Sequence, residues 1–476
     1  MANGERAAAR LSLPTILTFS ATNLPVAALV VGVSIFLQPY IAVHLGVGLT
    51  MVGLAWGAVR LIDIPIEPIL GVSMDRTRTR LGRYRVWMLI GAPILMLGVY
   101  LLFMAPKGIG MPYLIGGLLV MYLGISILSL SHSAWGAVLA THYDERSRLF
   151  GILAAVGVLG SLVVLAIPAL VHGGARKAPE LVPIMGWFVI FMTPLCVGIV
   201  TWRTPEKISV DAPGRASQFA FKDYLALASN PTMVRLFLGE MALVLGPGWM
   251  SVLYLFFFRD SRGFTTAQAS LLLGCYVVSG VVGAPTTGWI ATKLGKHRTL
   301  MAATTAYSVG LCCVLLAPKG QFLAAMPVMF WCGFMASGFG LMIRAMTADF
   351  GDQIRLEQGK ERISLIYALL SLATKIAGAM SALLSYPLLD AVGYHAKEGM
   401  KNTPEAIRHL ELIYLAGPIF FVMIGGACFI GWRLDAARHD QIRGELEARD
   451  ALYDEAPVLA SLGVEPAIAV ADDAGV

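Results

Sequence analysis

Twelve apolar stretches of about 20 residues or more run through this chain of 476 residues, and they constrain its fold more than any other feature. A helix of that length can cross roughly 30 Å of hydrocarbon. Charged residues make up only 14% of the chain, against about 25% in soluble domains, which excludes an ordinary cytosolic protein. The period-two alternation typical of a transmembrane barrel is not found. The predicted fold class is therefore all-α integral membrane. The predicted spans are residues 14–45, 49–73, 86–106, 110–142, 150–172, 182–203, 233–258, 265–292, 299–317, 321–348, 361–391 and 411–432.

The basic residues predict how the spans are oriented. When both termini are placed on the same side, 24 Lys and Arg lie on that side, nine lie on the other and three lie inside spans. The positive-inside rule then assigns both termini to the cytoplasm. We expect a multi-pass protein of the cell inner membrane.

The longest internal connection divides the chain into two halves of six spans. The halves resemble each other, because Pro68-Ile-Leu-Gly71 and Pro285-Thr-Thr-Gly288 each precede a short basic loop. Such a repeat is typical of transporters built from two pseudo-symmetric bundles. The predicted segments are an N-terminus (1–13), a first bundle (14–203), a linker (204–232), a second bundle (233–432) and a tail (433–476). The tail is predicted to be partly helical, from Asp435 to Glu455, and disordered at its end.

Several classes of function are excluded by what the sequence lacks. The six cysteines lie in apolar stretches without metal-ligand spacing, so we interpret them as small buried residues. The basic residues are dispersed and lack the interleaved aromatics of a nucleic-acid surface. No hydrolase, zinc-protease or Walker motif is present. We expect no enzyme activity, no metal or cofactor other than a coupling ion, and no nucleic-acid partner. The expected partners are a small solute and the lipid bilayer, and the expected state is a monomer.

Charged residues inside spans are the strongest functional signal, because each is costly at the middle of a bilayer. Arg60, Asp63 and Glu67 share one face of span 2, and prolines interrupt the backbone hydrogen bonds beside them. Two carboxylates one turn apart can share a monovalent cation or a proton, since like-charge repulsion disfavours ionising both. The alternative is a structural ion pair with Arg60, which leaves one acid over. Lys375 in span 11 is the predicted partner of that acid, unless it extends to an interface.

Candidate substrate residues are polar or aromatic groups within other spans. Span 4 carries Ser131, His132 and Trp135, where the tryptophan can face a sugar ring and the hydroxyl or imidazole can bind sugar hydroxyls. His132 alone is more often a hydrogen-bonded packing residue. Asn23 in span 1 can face a cavity or bond a neighbouring helix. Glu240 and Arg344 can line the cavity or lie near an interface.

The segment from Arg60 to Trp87 resembles the glycoside-pentoside-hexuronide:cation symporters, the melibiose-permease branch of the major facilitator superfamily. In this segment two acids and a proline lead into Asp75-Arg-Thr-Arg-Thr-Arg-Leu-Gly-Arg83. Further matches are Trp135, Asp349, Asp352, the run from Gly359 to Arg362 and the spacing from Tyr367 to Lys375. The resemblance implies twelve helices in two pseudo-symmetric six-helix bundles.

The resemblance also implies roles for individual residues. Asp63 and Glu67 match the cation-binding acids, Arg60 and Lys375 match charges near that site, and Tyr367 joins the candidate substrate residues. Salt bridges of the cytoplasmic loops hold the outward-facing state in this family. The residues that match these loops are Asp75, Arg78, Arg83, Arg146, Arg148, Asp349 and Asp352.

Departures from the family pattern bear on the solute and the ion. Side chains that grip galactoside hydroxyls align with Leu29, Ser131 and Ala154, so a melibiose-like galactoside is disfavoured and another sugar or glycoside remains open. An amide and a hydroxyl of sodium-using relatives align with Ile66 and Leu128. Because sodium needs several oxygen ligands, a proton is slightly favoured.

The sequence therefore predicts a secondary active symporter that moves a sugar or glycoside inward with a proton or sodium ion. Two alternatives stay open: a cation-coupled symporter of a lysolipid, another amphiphile or another small organic solute, and a passive facilitator that does not need the acids.

Overall fold

A computed structural model shows an all-helical chain. It describes residues 11–139, 143–171, 181–206, 227–359, 362–397, 400 and 402–461. Twelve helices in this part of the chain are long and apolar enough to cross a membrane. The helices, named α1–α12 here, are Leu13–His44, Leu49–Arg76, Tyr84–Phe103, Met111–Leu139, Tyr143–Val171, Leu181–Arg203, Pro231–Phe256, Thr266–Leu294, Lys296–Cys313, Phe322–Gln358, Ile363–Ala391 and Pro404–Ala427.

Two of these helices are irregular, and a further helix follows them. The α1 span contains π-helical residues Gly32–Leu37, and α7 continues as a π-helical turn, Phe257–Ser261. A charged helix, α13, follows the last span and covers Ala436–Ser461. The predicted disorder at the end of the tail, most of the linker and the first ten residues lie outside the described residues.

The two halves pack their helices in the same way. In the first half the contacting pairs include α3–α4, α1–α5, α2–α4, α1–α6 and α3–α6, and each recurs six helices later as α9–α10, α7–α11, α8–α10, α7–α12 and α9–α12. The first and second sets of six helices are therefore pseudo-symmetric bundles, as the sequence repeat predicts.

The halves meet mainly through α2–α11, α5–α8 and α1–α7. We call the end of the bundle with Arg203 and Pro231 the linker side, and the opposite end the far side. Thr50 in the first turn of α2 donates a 2.7 Å hydrogen bond to Asp390 at the end of α11. The Gly53 backbone also packs directly on Ala382. These contacts close the far side.

Three helix bounds differ from the sequence-based expectation by seven residues or more, and one of them is the start of α5, which lies at Tyr143 and not at residue 150. The prediction ends span 10 at residue 348, but α10 runs to Gln358 and stops where Gly359 adopts a positive φ of 64°. Its last ten residues are too polar for a hydropathy criterion, although they continue the helix beyond the apolar segment. The prediction starts span 12 at residue 411, but α12 begins at Pro404, where the Thr403 side chain caps the amide of Ala406.

Candidate cation and solute site

The centre of the molecule contains an ion cluster that joins the two halves. Asp63 and Glu67 lie one turn apart in α2, and Lys375 comes from the middle of α11. The Lys375 Nζ lies 3.2 Å from Asp63 Oδ2 and 2.8 Å from Glu67 Oε2. One ammonium thus bridges both carboxylates, and the contact runs from one half of the molecule to the other.

Ser126 in α4 adds a hydroxyl to this cluster. Its Oγ donates to Asp63 Oδ1 at 3.0 Å and lies 3.5 Å from Glu67 Oε1. The sequence-based alignment placed Leu128 at the position of the family's hydroxyl ligand, so it missed Ser126. No sequence signal separates Ser126 from the other serines of α4. Ser126 therefore lies beside one oxygen of each carboxylate, and Lys375 contacts the other oxygen of each.

Arg60 lies one turn before Asp63 and contacts it less closely than Lys375 does. Its Nη1 is 4.0 Å from Asp63 Oδ2, and its guanidinium stacks 4.1 Å from the ring of Tyr122 in α4. The cation–π contact holds the charge near the acid pair while the carboxylates interact mainly with Lys375. With two carboxylates and two cationic side chains, the cluster is close to neutral.

Burial makes the cluster energetically important. Only 4% of the Asp63 side chain and 14% of the Lys375 side chain are exposed, whereas 27% of the Glu67 side chain is exposed. A buried charge that loses its partner is costly, so Asp63 and Lys375 depend on each other. Glu67 is the acid that solvent reaches most easily.

Prolines also leave backbone acceptors beside the acids. α2 continues as a helix through Pro65 and Pro68, but a proline has no amide to donate. The carbonyls of Leu61 and Ile64 therefore lack their usual helical donor. These two carbonyl oxygens lie in the α2 segment that carries both acids.

The second half contributes further polar groups near Lys375. Thr374 donates a 2.9 Å hydrogen bond to Glu240 of α7, so Glu240 lies against the residue next to the bridging lysine. Two turns earlier in α11, the Tyr367 hydroxyl lies 3.4 Å from the carbonyl of Arg344 in α10. Both Tyr367 and Arg344 are exposed. Four predicted residues of the second half therefore occupy adjoining parts of α7, α10 and α11.

The predicted substrate residues of α4 lie elsewhere. His132 stacks on Phe19 and contacts its carbonyl at 2.8 Å, and Ser131 bonds the carbonyl of Ile127 in its own helix. Trp135 is fully buried against Phe19, and its indole nitrogen lies 3.4 Å from the carbonyl of Pro205. These groups are used in packing α4 against α1 and the start of the linker. The structure does not bring them to the acid pair.

Asn23 likewise bonds a neighbouring helix. Its amide donates to the carbonyl of Leu153 in α5 at 2.7 Å, and a Cβ at Gly157 would lie only 2.7 Å from the same amide nitrogen. Of the two interpretations that the sequence left open, this contact corresponds to the helix-bonding one.

The predicted gate residues of the second half bind within that half and the tail. Asp349 receives both of its 2.7 Å hydrogen bonds from Lys296, and His439 of α13 lies 3.4 Å from it. Asp352 lies 3.1 Å from His439 and 4.0 Å from Arg443. The tail helix is thus anchored to α10 by the carboxylates that the resemblance assigns to the gate.

In the first half, two of the predicted gate residues contact backbone carbonyls of the same half. Arg83 donates to the carbonyl of Met74, Arg148 lies 3.4 Å from the carbonyl of Leu11, and Arg78 is exposed. The side chains of Asp75 and Arg146 lie outside the described part of the structure. Glu206, which sequence reasoning missed, accepts the backbone amides of residues 83–85 and so fixes the basic loop to the end of α6.

Comparison with known proteins gives the same fold and relatives that are transporters. The sequence model of the family described as MFS/sugar transport protein matches residues 18–436. The chain is 22% identical to the isoprimeverose transporter of Lactiplantibacillus pentosus over 419 residues, which cover 85% of each protein. It is 23% identical to the sodium-dependent lysophosphatidylcholine symporter 1-B of Danio rerio over 433 residues, which cover 81% of this chain and 79% of the relative.

Among solved structures, the chain resembles the nucleoside transporter NupG with a TM-score of 0.66 and 14% identity. The match covers 88% of this chain and all of that structure. At this identity the likeness concerns the fold alone.

Proposed function

This chain belongs to the MFS/sugar transport protein family, and from that premise we propose that it is a cation-coupled symporter of a sugar or glycoside. Its relatives and its fold are those of multi-pass membrane transporters and not of enzymes. One observation carries the proposal of coupling: the Lys375 ammonium of one half bridges Asp63 and Glu67 of the other half.

This bridge suggests how ion binding acts on the contact between the halves. A proton or sodium ion that binds the acid pair competes with the Lys375 ammonium for the same oxygens. Displacing the ammonium weakens α2–α11, which is also the helix pair that closes the far side. Ion binding thereby changes the free energy of one conformation relative to the other, which is the requirement for coupling. When the ion leaves, the Lys375 ammonium bridges both carboxylates again.

The coupling ion remains a choice between proton and sodium. Ser126 adds an oxygen within 3.0 Å of Asp63 Oδ1. With the two carboxylates it gives a hard cation several oxygen ligands. Ile66 still lacks the amide found in sodium-using relatives. Ser126 therefore removes one of the two sequence-based reasons for favouring a proton.

We propose that the solute binds between the halves, on the linker-side approach to the cluster. The side chains there include hydrogen-bond donors and acceptors, among them one acid and one guanidinium. They belong to Glu240, Thr374, Tyr367 and Arg344. A neutral solute with several hydroxyls can satisfy these groups without adding net charge to the site. Ser131, His132, Trp135 and Asn23 are left out of this proposed site because helix packing occupies their polar atoms.

The proposed orientation places the linker side in the cytoplasm of an inner-membrane protein. Its support is the excess of Lys and Arg on the linker side, 24 against nine. In this orientation the closed far side faces outward, and the conformation is inward-facing. The gate acids Asp349 and Asp352 are then bound to Lys296 and to the tail helix.

A second candidate solute is a lysolipid or a similar amphiphile. An apolar groove of about 590 Å³ opens at the surface between α7, α11 and α12, lined by residues such as Trp249, Leu388 and Phe420. One relative is named as a lysophosphatidylcholine symporter. A lateral apolar opening gives an acyl chain a path along the protein that a sugar does not need.

The test is uptake by the purified protein in proteoliposomes, under an imposed proton or sodium gradient. The panel contains sugars, glycosides and lysophosphatidylcholine. The proposal predicts that one sugar or glycoside accumulates above its external concentration with only one of the two gradients. Accumulation of the lysolipid instead would support the second candidate. Equilibration without accumulation under either gradient would contradict coupling and indicate a passive facilitator.

A further inference from the structure

A basic groove on the linker side lies outside the proposed transport site. It has a volume of about 860 Å³ and is bounded by the start of α7, the end of α10 and the connection from α12 to α13. Three arginines line it: Arg235, Arg433 and Arg438. Among the described residues that line it, Glu357 is the one carboxylate, and Gln353 donates to that group at 2.6 Å. The groove therefore carries excess positive charge.

The three guanidinium groups are available to an anion. Arg235 is half-buried and held by the carbonyls of Ile430 and Gly431, at 2.7 and 3.4 Å, which neutralise none of its charge. Within the part of the chain that the structure describes, the Arg438 guanidinium bonds only the side-chain oxygen of Gln441 in its own helix, and Arg433 is exposed. Within the described residues, no carboxylate lies at ion-pair distance from any of the three. A phosphate group satisfies several arginine donors at once.

Exposed apolar residues continue from this groove toward the bilayer. Val234 and Leu238 lie one turn apart on α7 and are 38% and 41% exposed, and Ile430 beside the groove is 64% exposed. The groove itself lies where α7 begins and α12 has ended, which is the level at which a membrane span leaves the hydrocarbon. An anionic group above an apolar strip matches the chemistry of a phospholipid.

From this arrangement we propose that Arg235, Arg433 and Arg438 form a binding site for a phosphate-bearing anion, occupied by the headgroup of an anionic phospholipid of the linker-side leaflet. The acyl chains pack along Val234 and Leu238. Because Arg438 belongs to the tail helix and Arg235 to α7, one bound headgroup connects the tail to the second bundle. Basic pockets between membrane helices bind anionic headgroups in this way. This site goes beyond the proposed transport function and does not depend on it.

The experiment measures lipid binding by native mass spectrometry of the full-length protein in detergent, with phosphatidylglycerol and phosphatidylcholine as probes. The variant is Arg433→Gln with Arg438→Gln, because both residues are exposed and neither bonds another helix. The matched control is Lys293→Gln with Arg298→Gln, which removes the same charge from the linker side outside the groove. Arg235→Gln is added last, with thermal unfolding to check that the protein remains folded.

The proposal predicts that wild type prefers phosphatidylglycerol and that the groove variant loses about ten-fold or more of this affinity per removed phosphate contact. The control variant should lose no more than two- to three-fold. Glycerol 1-phosphate is tested as a soluble phosphate compound without acyl chains. If it binds wild type as tightly as the lipid does, and its binding depends on the same arginines, the ligand is a free phosphate compound. Equal affinity for both lipids, or equal losses in the groove and control variants, would overturn the site.

Discussion

The corresponding helices α2 and α8 have the same place in the two bundles but make opposite kinds of contact. Aligned on Pro68 and Pro285, Asp63 and Glu67 of α2 correspond to Gly280 and Ala284 of α8. In α2 the charged positions reach across the halves to Lys375. In α8, Gly283 lies so close to α10 that a Cβ there would be 2.4 Å from the carbonyl oxygen of Phe334.

A symmetric fold can therefore carry chemistry on one side only. The α8–α10 contact depends on the absence of side chains, so it is steric and insensitive to ions. The contact of α2 with α11 depends on compensated charge, so an ion can alter it. Within the described residues, the ion pairs between the halves are those that Lys375 makes with Asp63 and Glu67, so an ion bound there would act on one helix pair.

The largest expected effect comes from Lys375→Met, which removes charge compensation from the α2–α11 contact. Two acids, one of them buried, would then lack their ammonium, and breaking a buried pair costs about 3–5 kcal/mol. We expect a clear drop in the thermal unfolding temperature in detergent and loss of gradient-driven uptake. Adding Asp63→Asn should recover stability but not uphill uptake. Unchanged stability of Lys375→Met, compared with Lys319→Met in an exposed loop, would contradict the role of this ion cluster.

The next effect concerns the steric contact of α8. Gly283→Ala forces a Cβ onto the Phe334 carbonyl oxygen, and overpacking of this kind costs about 1–3 kcal/mol. The matched control is Gly288→Ala in the same helix, where the nearest atom is a flexible Leu341 methyl at 3.4 Å. Thermal unfolding should separate the two variants. If both are equally stable, α8 is not closely packed on α10.

A third prediction compares two of the contacts that join the halves, α2–α11 and α5–α8. A Cβ at Gly53 of α2 would lie 2.6 Å from the Ala382 carbonyl oxygen of α11, whereas one at Gly274 of α8 would lie 3.9 Å from a Leu162 methyl. Gly53→Ala should therefore disfavour far-side closure by about 1–2 kcal/mol, a five- to thirty-fold shift in population, and Gly274→Ala should not.

Double electron–electron resonance can measure this shift as a change in the distance between two spin labels. Spin labels at exposed Met51 and Leu388 report the separation of α2 and α11 on the far side, in a background without native cysteines. A longer mean distance in Gly53→Ala alone is the expected result. The same distance distribution in all three proteins would contradict it.

The smallest effect is expected from Ser126→Ala, which tests whether the coupling ion at the charged contact is sodium or a proton. One hydrogen bond to the acids is lost, worth about 1 kcal/mol. Apparent sodium affinity should fall about five-fold if the hydroxyl is a ligand, measured from uptake against sodium concentration. Ser131→Ala is the control, because that hydroxyl bonds only its own helix. An equal response of the two variants would remove Ser126 from the ion site.

The sequence predicted the twelve spans and identified the acids and Lys375, because uncompensated charge in an apolar helix is rare and therefore informative. It could not distinguish Ser126 from Ser131. Both are serines of one apolar helix, and only tertiary packing decides which of them leaves its own backbone to meet a carboxylate. Likewise, the rings of His132 and Trp135 are equally suited to a solute and to the packing partners Phe19 and Pro205 that the structure shows.

The extension of α10 illustrates a second limit. Hydropathy marks where a helix leaves the membrane, whereas the helix itself ends at the Gly359 cap. The ten residues between these points carry Asp349 and Asp352, to which the tail helix is anchored. Only the three-dimensional structure shows that the tail reaches these two acids, which the resemblance assigns to the gate.

The most direct test of the account is gradient-driven uptake by Asp63→Asn and Glu67→Gln beside wild type, with Asp440→Asn as the control for an exposed acid of the tail. The account predicts that wild type and the control accumulate the solute, whereas both acid variants bind it but only equilibrate it across the membrane. Accumulation by either acid variant to the wild-type level would show that the missing carboxylate is not needed for coupling, and would contradict the account.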